Sequence, residues 1–268
     1  MWRGAGSRST RRAAARQEPA VQARSVILYL FDIDGTLLHA RRSGRRAFEA
    51  VFAAQHGIAG ACDGMKFGGK TDPALIDEVF VARLGRPASE RERSAFLDAY
   101  LPLLHADVSS GGVEVIGGVR EALAWLAART DVLLGIATGN VRAGADAKLA
   151  AAGLHDYFAV GGYGSDSHLR AELVAAAIAR GRERAGVREV VVVGDTVHDI
   201  AAARACGAVA CAVATGSDTA EALAGADVVF ASLAELPAWH GARYGAAAAI
   251  TSIASTTSRG APTDPADR

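Results

Sequence analysis

The stretch SVILYLFDIDGTLL at residues 25–38 decides the fold. Its first seven residues form a short apolar run that is rich in strand-forming side chains. An apolar run of this length, without polar alternation, is typical of a strand in the buried middle of a parallel sheet. Polar residues follow at once, with Asp32 and Asp34 one residue apart and Gly35 suited to a tight turn.

The same pattern recurs outward from this stretch, because short apolar runs alternate with helical segments. The further runs are Asp131–Ala137, Glu189–Val193, Val209–Val213 and Asp227–Phe230. The helical segments are about 118–129, 141–152, 168–185 and 197–206. The alternation predicts an α/β fold with a doubly wound parallel sheet. Ligands of such sheets bind beyond the carboxyl ends of the strands, so functional side chains are expected directly after the apolar runs.

One interval of about 100 residues, between the first run and the next clear one, breaks this alternation. A crossover between parallel strands needs only a dozen or more residues. Apolar residues at helical spacing occur within it at Gly44–His56, Pro73–Leu84 and Ser89–His105. We therefore predict that 40–112 is a helical insertion that forms a cap domain over the crevice, and that 25–39 and 113–240 form the α/β core.

The two ends of the chain differ from the rest in composition. Residues 1–24 are rich in arginine and carry no acid before Glu18. An organelle transit peptide, a disordered tail and a start site placed too early all fit this composition, and we favour the tail. Residues 241–268 are rich in Ala, Ser, Thr and Pro without periodicity, which predicts a second disordered tail.

Composition limits the classes of partner. The 268 residues carry no net charge, which argues against nucleic acid as a partner, and no apolar run approaches the roughly 20 residues of a membrane span. The three cysteines form no CxxC pair, so neither a zinc site nor a disulfide framework is expected, and a cytoplasmic location is predicted. A small anionic metabolite, held by a few local charges, remains the expected partner.

The acids after the first run point to a metal. Asp32 and Asp34 would share a face if the strand stayed extended. Like charges this close are costly unless a cation lies between them or one acid holds a proton. Mg²⁺ prefers oxygen ligands of this kind. The pair therefore predicts Mg²⁺ and a division of labour, in which one carboxylate attacks phosphorus and the other moves protons.

Three more signals follow later strands or begin helices. Thr138, Gly139 and Asn140 come between an apolar run and a helix, where N–H groups bind anions, and the two polar side chains can donate to phosphate oxygens. Arg170 begins a predicted helix and would offset phosphoryl charge. Asp195 and Asp199 lie four residues apart at a helix start, where they can complete an oxygen-rich metal site.

At these residues the chain resembles the haloacid dehalogenase superfamily of phosphatases. The resemblance spans about 25–240, and its motifs are DxDGT(L/V) at Asp32–Leu37, Thr138, Arg170 and GDxxxD at Gly194–Asp199. It implies a Rossmann-like core and, for an insertion directly after the first motif, a helical cap. It also implies that Asp32 becomes an aspartyl-phosphate, while Asp34 protonates the leaving group and then activates water.

The resemblance further implies how the site is divided. Mg²⁺ would be held by Asp32, the backbone carbonyl of Asp34 and Asp195, with Asp199 nearby or acting through water. Thr138 and Arg170 would bind the transferring phosphate. Within the superfamily the chain is similar to the phosphoglycolate phosphatase-like group, although that group usually has Lys-Pro at the third motif and this chain has Arg170 followed by alanine.

Alternatives remain open at this point. A dehalogenase would not need Asp34. A β-phosphoglucomutase-like phosphotransferase would use the same core, and a phosphonate hydrolase would form a Schiff base through a cap lysine, for which Lys66 and Lys70 are the candidates. A silent phosphate-binding module is the non-enzyme alternative, which the intact set of acids disfavours.

Overall fold

The computed structural model describes residues 25–245. The tail predicted at 1–24, and the predicted tail beyond 245, lie outside these residues. The strands are β1 (Ser25–Phe31), β2 (Leu38–His39), β3 (Glu114–Val115), β4 (Val132–Thr138), β5 (Val160–Tyr163), β6 (Gly186–Gly194), β7 (Val209–Val213) and β8 (Val228–Phe230). The helices are α1 (Ser43–His56), α2 (Asp72–Leu84), α3 (Glu90–Asp107), α4 (Val119–Ala127), α5 (Arg142–Ala151), α6 (Arg170–Arg184), α7 (Val197–Ala205) and α8 (236–245).

β1 lies inside a six-stranded sheet with the order β5-β4-β1-β6-β7-β8. Every pairing in this sheet is parallel, which confirms the predicted α/β fold. Tyr29 and Phe31 of β1 join one apolar cluster, and Leu28 and Leu30 join another. Because side chains alternate between the faces of a strand, the two clusters cover opposite faces, which explains why β1 is apolar throughout.

The carboxyl ends of three strands lie side by side. Phe31, the last residue of β1, pairs with Ile136 of β4 and Val193 of β6. Asp32, Thr138 and Asp195 therefore leave the sheet at the same edge. None of the helices between residues 25 and 245 has the length and apolar character of a membrane span.

Helices α1, α2 and α3 have an apolar cluster of their own, apart from the two clusters of the sheet. The ring of Phe48 lies 4.9 Å from those of Phe96 and Tyr100, and the ring of Phe52 lies 5.4 Å from that of Phe80. Aromatic pairs at these separations add to the stability that burial provides. We refer to residues 40–112, which contain these helices, as the insertion. The antiparallel pair β2–β3 lies where the chain leaves the sheet and returns to it.

Two elements differ from the sequence-based expectations. β5 was not predicted, because two of its four residues are glycines, which carry no strand signal. The C-terminal disordered tail was predicted to start at 241, yet α8 continues to 245. The composition of this segment suggested disorder, but Tyr244 packs against the rings of Trp239 and His240 and thereby joins the apolar core.

His240 makes the stability of this end of the molecule sensitive to pH. Its Nδ1 lies 2.8 Å from the hydroxyl of Tyr29, and the side chain is fully buried. Burial lowers the pKa of His240 from 6.5 to about 4. The unfolded chain therefore takes up a proton below pH 6.5 that the native state refuses until about pH 4, so this contribution to stability is lost as the pH falls through that window.

We expect His240→Gln to remove this part of the pH dependence. Thermal unfolding of the wild type and the variant, measured between pH 7 and pH 5, should give melting temperatures that converge as the pH falls. His155→Gln, which replaces a half-exposed histidine, serves as the control and should leave the wild-type pH dependence intact. A constant difference between wild type and His240→Gln over this range would contradict the assignment.

Candidate active site

A cavity of about 470 Å³ lies between the carboxyl edge of the sheet and the insertion. Asp32, Thr138 and Asp195 line it from the sheet, and Phe48 and Tyr100 line it from the insertion. Its volume is within the range of small-molecule sites. The sequence-predicted residues Asp34, Gly139, Asn140 and Arg170 also line the cavity.

Three buried carboxylates converge beside this cavity. Asp32, Asp195 and Asp199 each offer one oxygen, and these oxygens lie within 4.8 Å of one another. Burial raises the pKa of Asp32 and of Asp195, and the neighbouring carboxylates raise both pKa values further. Acids placed so closely are stable in their charged form only when cations accompany them.

Arg170 is one such cation. Its Nη2 lies 3.0 Å from Asp32 Oδ1 and 2.5 Å from Asp199 Oδ1, while its Nε donates to the same Asp199 oxygen at 2.8 Å. The side chain of Arg170 is 9% exposed, and these carboxylates raise its pKa although removal from water opposes them. Arg170 also donates to the carbonyl of Gly69 at 3.3 Å, so it connects the core to the insertion.

Asp199 lies in the cluster, but both of its carboxylate oxygens already accept hydrogen bonds. Oδ1 accepts from Arg170, and Oδ2 accepts from the backbone N–H and the hydroxyl of Thr196 at 3.1 and 2.6 Å. The contacts with Thr196 form a capping box that begins α7. These contacts favour a role in holding Arg170 over direct metal binding, so direct ligation by Asp199 stays a prediction.

Asp195 is held by hydrogen bonds from two loops. Its Oδ1 accepts from the hydroxyl of Thr36 at 3.2 Å, and its Oδ2 accepts from the backbone N–H of Ser217 at 2.9 Å. Gly35 has a φ of 86°, and a Cβ there would lie 2.6 Å from Asp195 Oδ2. Glycine is therefore required after Asp34 for both the turn and the close approach of Asp195.

The Thr138–Asn140 loop contacts the insertion. The carbonyl of Gly139 accepts from the backbone N–H of Asp72 at 2.8 Å, and the carboxylate of Asp72 accepts from the N–H of Val141 at 2.8 Å. Both Nδ2 hydrogens of Asn140 are used within the protein, because they donate to Thr138 Oγ1 and Asp34 Oδ2. The side chain predicted to donate to phosphate thus donates to Asp34, and its contact with phosphate stays a prediction.

Two buried charged residues of the cavity were not predicted as site residues from the sequence. Lys148 on α5 is buried, and its Nζ lies 2.6 Å from Asp34 Oδ2. Asp72 is buried at the start of α2, and burial raises its pKa to about 6. The sequence offered one weak indication for Lys148, because it is one of only three lysines in an arginine-rich chain. Asp72 follows the N-cap Thr71, a position at which an acid needs no functional explanation.

The donor set fits a hard divalent cation. Asp32 and Asp195 supply buried carboxylate oxygens, and no hydrogen bond within residues 25–245 reaches the backbone carbonyl of Asp34. Oxygen ligands with more than one negative charge suit Mg²⁺. Nitrogen and sulfur ligands, which zinc prefers, are absent from the three-acid cluster of the described chain.

Comparison with known proteins places the chain among hydrolases. Residues 28–207 match the family model of the haloacid dehalogenase-like hydrolases. None of the curated proteins matches the chain significantly. Solved structures share its fold; CbbY from Rhodobacter sphaeroides, determined in complex with phosphate, is 23% identical with a TM-score of 0.62 over 78% of this chain and 95% of CbbY.

Two further structures agree with this result. A hydrolase from Pseudomonas syringae is 20% identical, with a TM-score of 0.61 over 78% of this chain and 95% of its own. A haloacid dehalogenase-like family protein from Streptococcus pneumoniae is 18% identical, with a TM-score of 0.58 over 81% of this chain and 98% of its own. At these identities the likeness concerns the fold.

Proposed function

The chain belongs to the haloacid dehalogenase-like hydrolases, and from this membership we propose that it is a Mg²⁺-dependent phosphatase of small phosphorylated metabolites with Asp32 as its nucleophile. The observation that carries the proposal is the position of Asp32. It follows the central strand, lies buried against Arg170 and lines the cavity together with a second acid, Asp34.

In the first step, a carboxylate oxygen of Asp32 attacks phosphorus, and the bond from phosphorus to the leaving oxygen breaks. Asp34 donates a proton to that oxygen as it departs. Arg170 offsets the charge that Asp32 and the phosphoryl group bring together. The product of this step is an aspartyl-phosphate on Asp32.

In the second step, water attacks the phosphorus of the aspartyl-phosphate and releases the Asp32 carboxylate. Asp34, now deprotonated, takes the proton of that water. The enzyme returns to its initial state, and inorganic phosphate leaves. A dehalogenase has no need of this second acid, so the presence of Asp34 in the cavity supports phosphoryl transfer.

Mg²⁺ would be held by Asp32, Asp195 and the carbonyl of Asp34. When bound, it would neutralise phosphoryl charge and reduce repulsion among the acids. Asp199 would position Arg170 on Asp32, as its hydrogen bonds indicate. Thr138, whose hydroxyl accepts from the side chain of Asn140, would direct its own hydrogen to a phosphate oxygen.

The insertion would act as the cap of this site. Arg170 of the core donates to the carbonyl of Gly69 in the insertion. Asp72 of the insertion is hydrogen-bonded to Gly139 and Val141 of the core. The cavity beneath holds about 470 Å³, a volume that suits a small metabolite. CbbY has been determined with xylulose-(1,5)bisphosphate, which supports a phosphorylated metabolite, such as phosphoglycolate, as the substrate class here.

A phosphonate hydrolase is less well supported. Its Schiff base would require a free amine in the cavity, and Lys70 is the cavity lysine nearest to that role. The Nζ of Lys70 lies 2.5 Å from Glu78 Oε2, so this amine is engaged by a carboxylate of the insertion. Phosphate monoesters therefore remain the proposed substrates.

Metal removal tests the proposal directly. The assay measures turnover with Mg²⁺ of p-nitrophenyl phosphate and of a panel of phosphoglycolate, sugar phosphates and nucleotides. We expect turnover to cease in EDTA and to return when Mg²⁺ is restored. Ca²⁺ should replace Mg²⁺ poorly, since its looser coordination misplaces the attacking oxygen. Mg²⁺ should also raise the melting temperature of the wild type, because it would bind the native state only. The rise should be smaller for Asp195→Asn, which lacks one of the proposed ligands. EDTA-resistant turnover would refute the metal requirement.

A further inference from the structure

The two acids that follow β1 have separate cations. Asp32 is paired with Arg170, whereas Asp34 Oδ2 lies 2.6 Å from Lys148 Nζ. The sequence motifs account for Arg170, but none of them includes Lys148. The ammonium of Lys148 therefore needs its own explanation.

Burial of Lys148 costs free energy unless its contacts compensate for the loss of hydration. The residue is 4% exposed, and taking an ammonium out of water costs several kcal/mol before its partners compensate. Lysine can reach solvent by extending its long side chain, but here Nζ turns toward the cavity and donates to Asp34 Oδ2 and to Asn140 Oδ1 at 2.7 Å. A lysine with a purely structural role would avoid this desolvation cost by keeping its ammonium in solvent.

Asn140 completes a closed set of contacts. While its Oδ1 accepts from Lys148, its Nδ2 donates to Asp34 Oδ2 at 2.8 Å and to Thr138 Oγ1 at 2.9 Å. These partners fix which end of the carboxamide faces which residue, because only the oxygen can accept from an ammonium. The set has no freedom to rotate without breaking a buried hydrogen bond.

The consequence is an asymmetry between the two oxygens of Asp34. Oδ2 accepts two hydrogen bonds, from Lys148 and Asn140, while Oδ1 accepts none from residues 25–245. The side chain of Asp34 remains 40% exposed in a cavity-lining position, whereas that of Lys148 is 5% exposed. Oδ1 is therefore the oxygen available to a bound molecule.

We infer that Lys148 is a positioning residue that, with Asn140, aims Oδ1 of Asp34 at the reacting phosphate ester. The inference rests on the proposed function. The proton on Oδ1 passes to the leaving oxygen as its bond to phosphorus breaks and the bond from Asp32 forms. A proton of water then passes to Oδ1 as the water oxygen bonds to phosphorus and the bond to Asp32 breaks.

Lys148→Met tests this with two substrates that differ in their need for an acid. p-Nitrophenolate leaves without a proton, so kcat/KM for p-nitrophenyl phosphate should stay within about threefold of wild type. An alkyl phosphate needs the proton, so its kcat/KM should fall by about tenfold to a hundredfold, part of the 10²–10⁴ that general acids supply. The kcat for p-nitrophenyl phosphate should fall similarly, with a burst of nitrophenolate, because water activation in the second step also uses Asp34.

Lys66→Met provides the matched control, since Lys66 is exposed and does not line the cavity. Lys148→Gln, which keeps a donor but removes the charge, is the second variant, and thermal unfolding accompanies each measurement. An equal loss in all three constants would mean that Lys148 binds phosphate or only supports the fold, and would overturn the inference, as would unchanged constants. Failure of both Lys148 variants to fold would also overturn it, by assigning the residue to stability.

These outcomes are distinct from failure of the proposed function. Turnover by the wild type with uniform losses in the Lys148 variants leaves the phosphatase proposal standing and rejects the role of Lys148. Absence of turnover of both esters by the wild type with Mg²⁺ rejects the phosphatase proposal, and the inference with it.

Discussion

Replacing Asp32 by asparagine is expected to lower phosphatase turnover by about 10⁴-fold or more, as loss of a nucleophile does in other hydrolases. The amide cannot attack phosphorus, and the two other acids of the buried cluster are already engaged. Asp195 is held by Thr36 and Ser217, and Asp199 by Arg170 and Thr196. The measurement is the rate of Mg²⁺-dependent hydrolysis of p-nitrophenyl phosphate.

The design separates chemistry from folding. Burial and the neighbouring carboxylates outweigh the attraction of Arg170 and raise the pKa of Asp32, so removal of this charge should leave the melting temperature unchanged or raise it. Asp156→Asn makes the same chemical change at a fully exposed position and should retain wild-type turnover. Acid quenching after incubation with ³²P-labelled substrate should trap label on the wild type and none on Asp32→Asn. Substantial turnover or labelling of Asp32→Asn would contradict its role as nucleophile.

Arg170→Met is expected to have the second largest effect, a loss of about 10²–10³-fold in kcat/KM. Without the guanidinium, Asp32 loses the side-chain cation that offsets its charge as it approaches the phosphoryl group. Burial and the neighbouring acids already raise the pKa of Asp32, and Arg170 is the residue that opposes them. The acids would then take up protons, and a protonated Asp32 is a poor nucleophile.

Two further variants make this result specific. Arg170→Lys keeps the charge but loses the forked contact with Asp199, so we expect its kcat/KM to lie between those of Arg170→Met and the wild type. Arg180→Met removes an arginine of the same helix that pairs with Asp166 away from the cavity, and it should retain wild-type kcat/KM. If Arg170→Met and Arg180→Met behaved alike, the proposed role of Arg170 would be wrong.

The sequence predicts most of the sheet because its strands are short apolar runs between polar residues. The bounds of β1 agree with the prediction, since Arg24 and Asp32 flank the run. β5 was not predicted because two of its four residues are glycines, which contribute no hydrophobic periodicity. The extension of α8 beyond 240 was not predicted, because it depends on the packing of Tyr244 against the rings of Trp239 and His240, which composition does not indicate.

The location of the site was predictable for a topological reason. Residues that follow neighbouring parallel strands must meet at one edge, so the amino-acid sequence alone is enough to group Asp32, Thr138 and Asp195. The hydrogen-bond partners of each oxygen could not be predicted in this way. Whether Lys148 faces the cavity depends on how α5 packs, and its sequence context is an alanine-rich helix with no motif.

The central place of β1 has a consequence for how the protein loses activity. Every residue from Ile27 to Phe31 pairs with both β4 and β6, and the backbone N–H of Asp32 donates to Val193 at 2.9 Å. Segments with such contacts exchange their amide hydrogens only when the whole domain opens. Asp32, the proposed nucleophile, therefore follows the part of the fold expected to open last, so we expect its alignment to survive local fluctuations and to be lost on global unfolding.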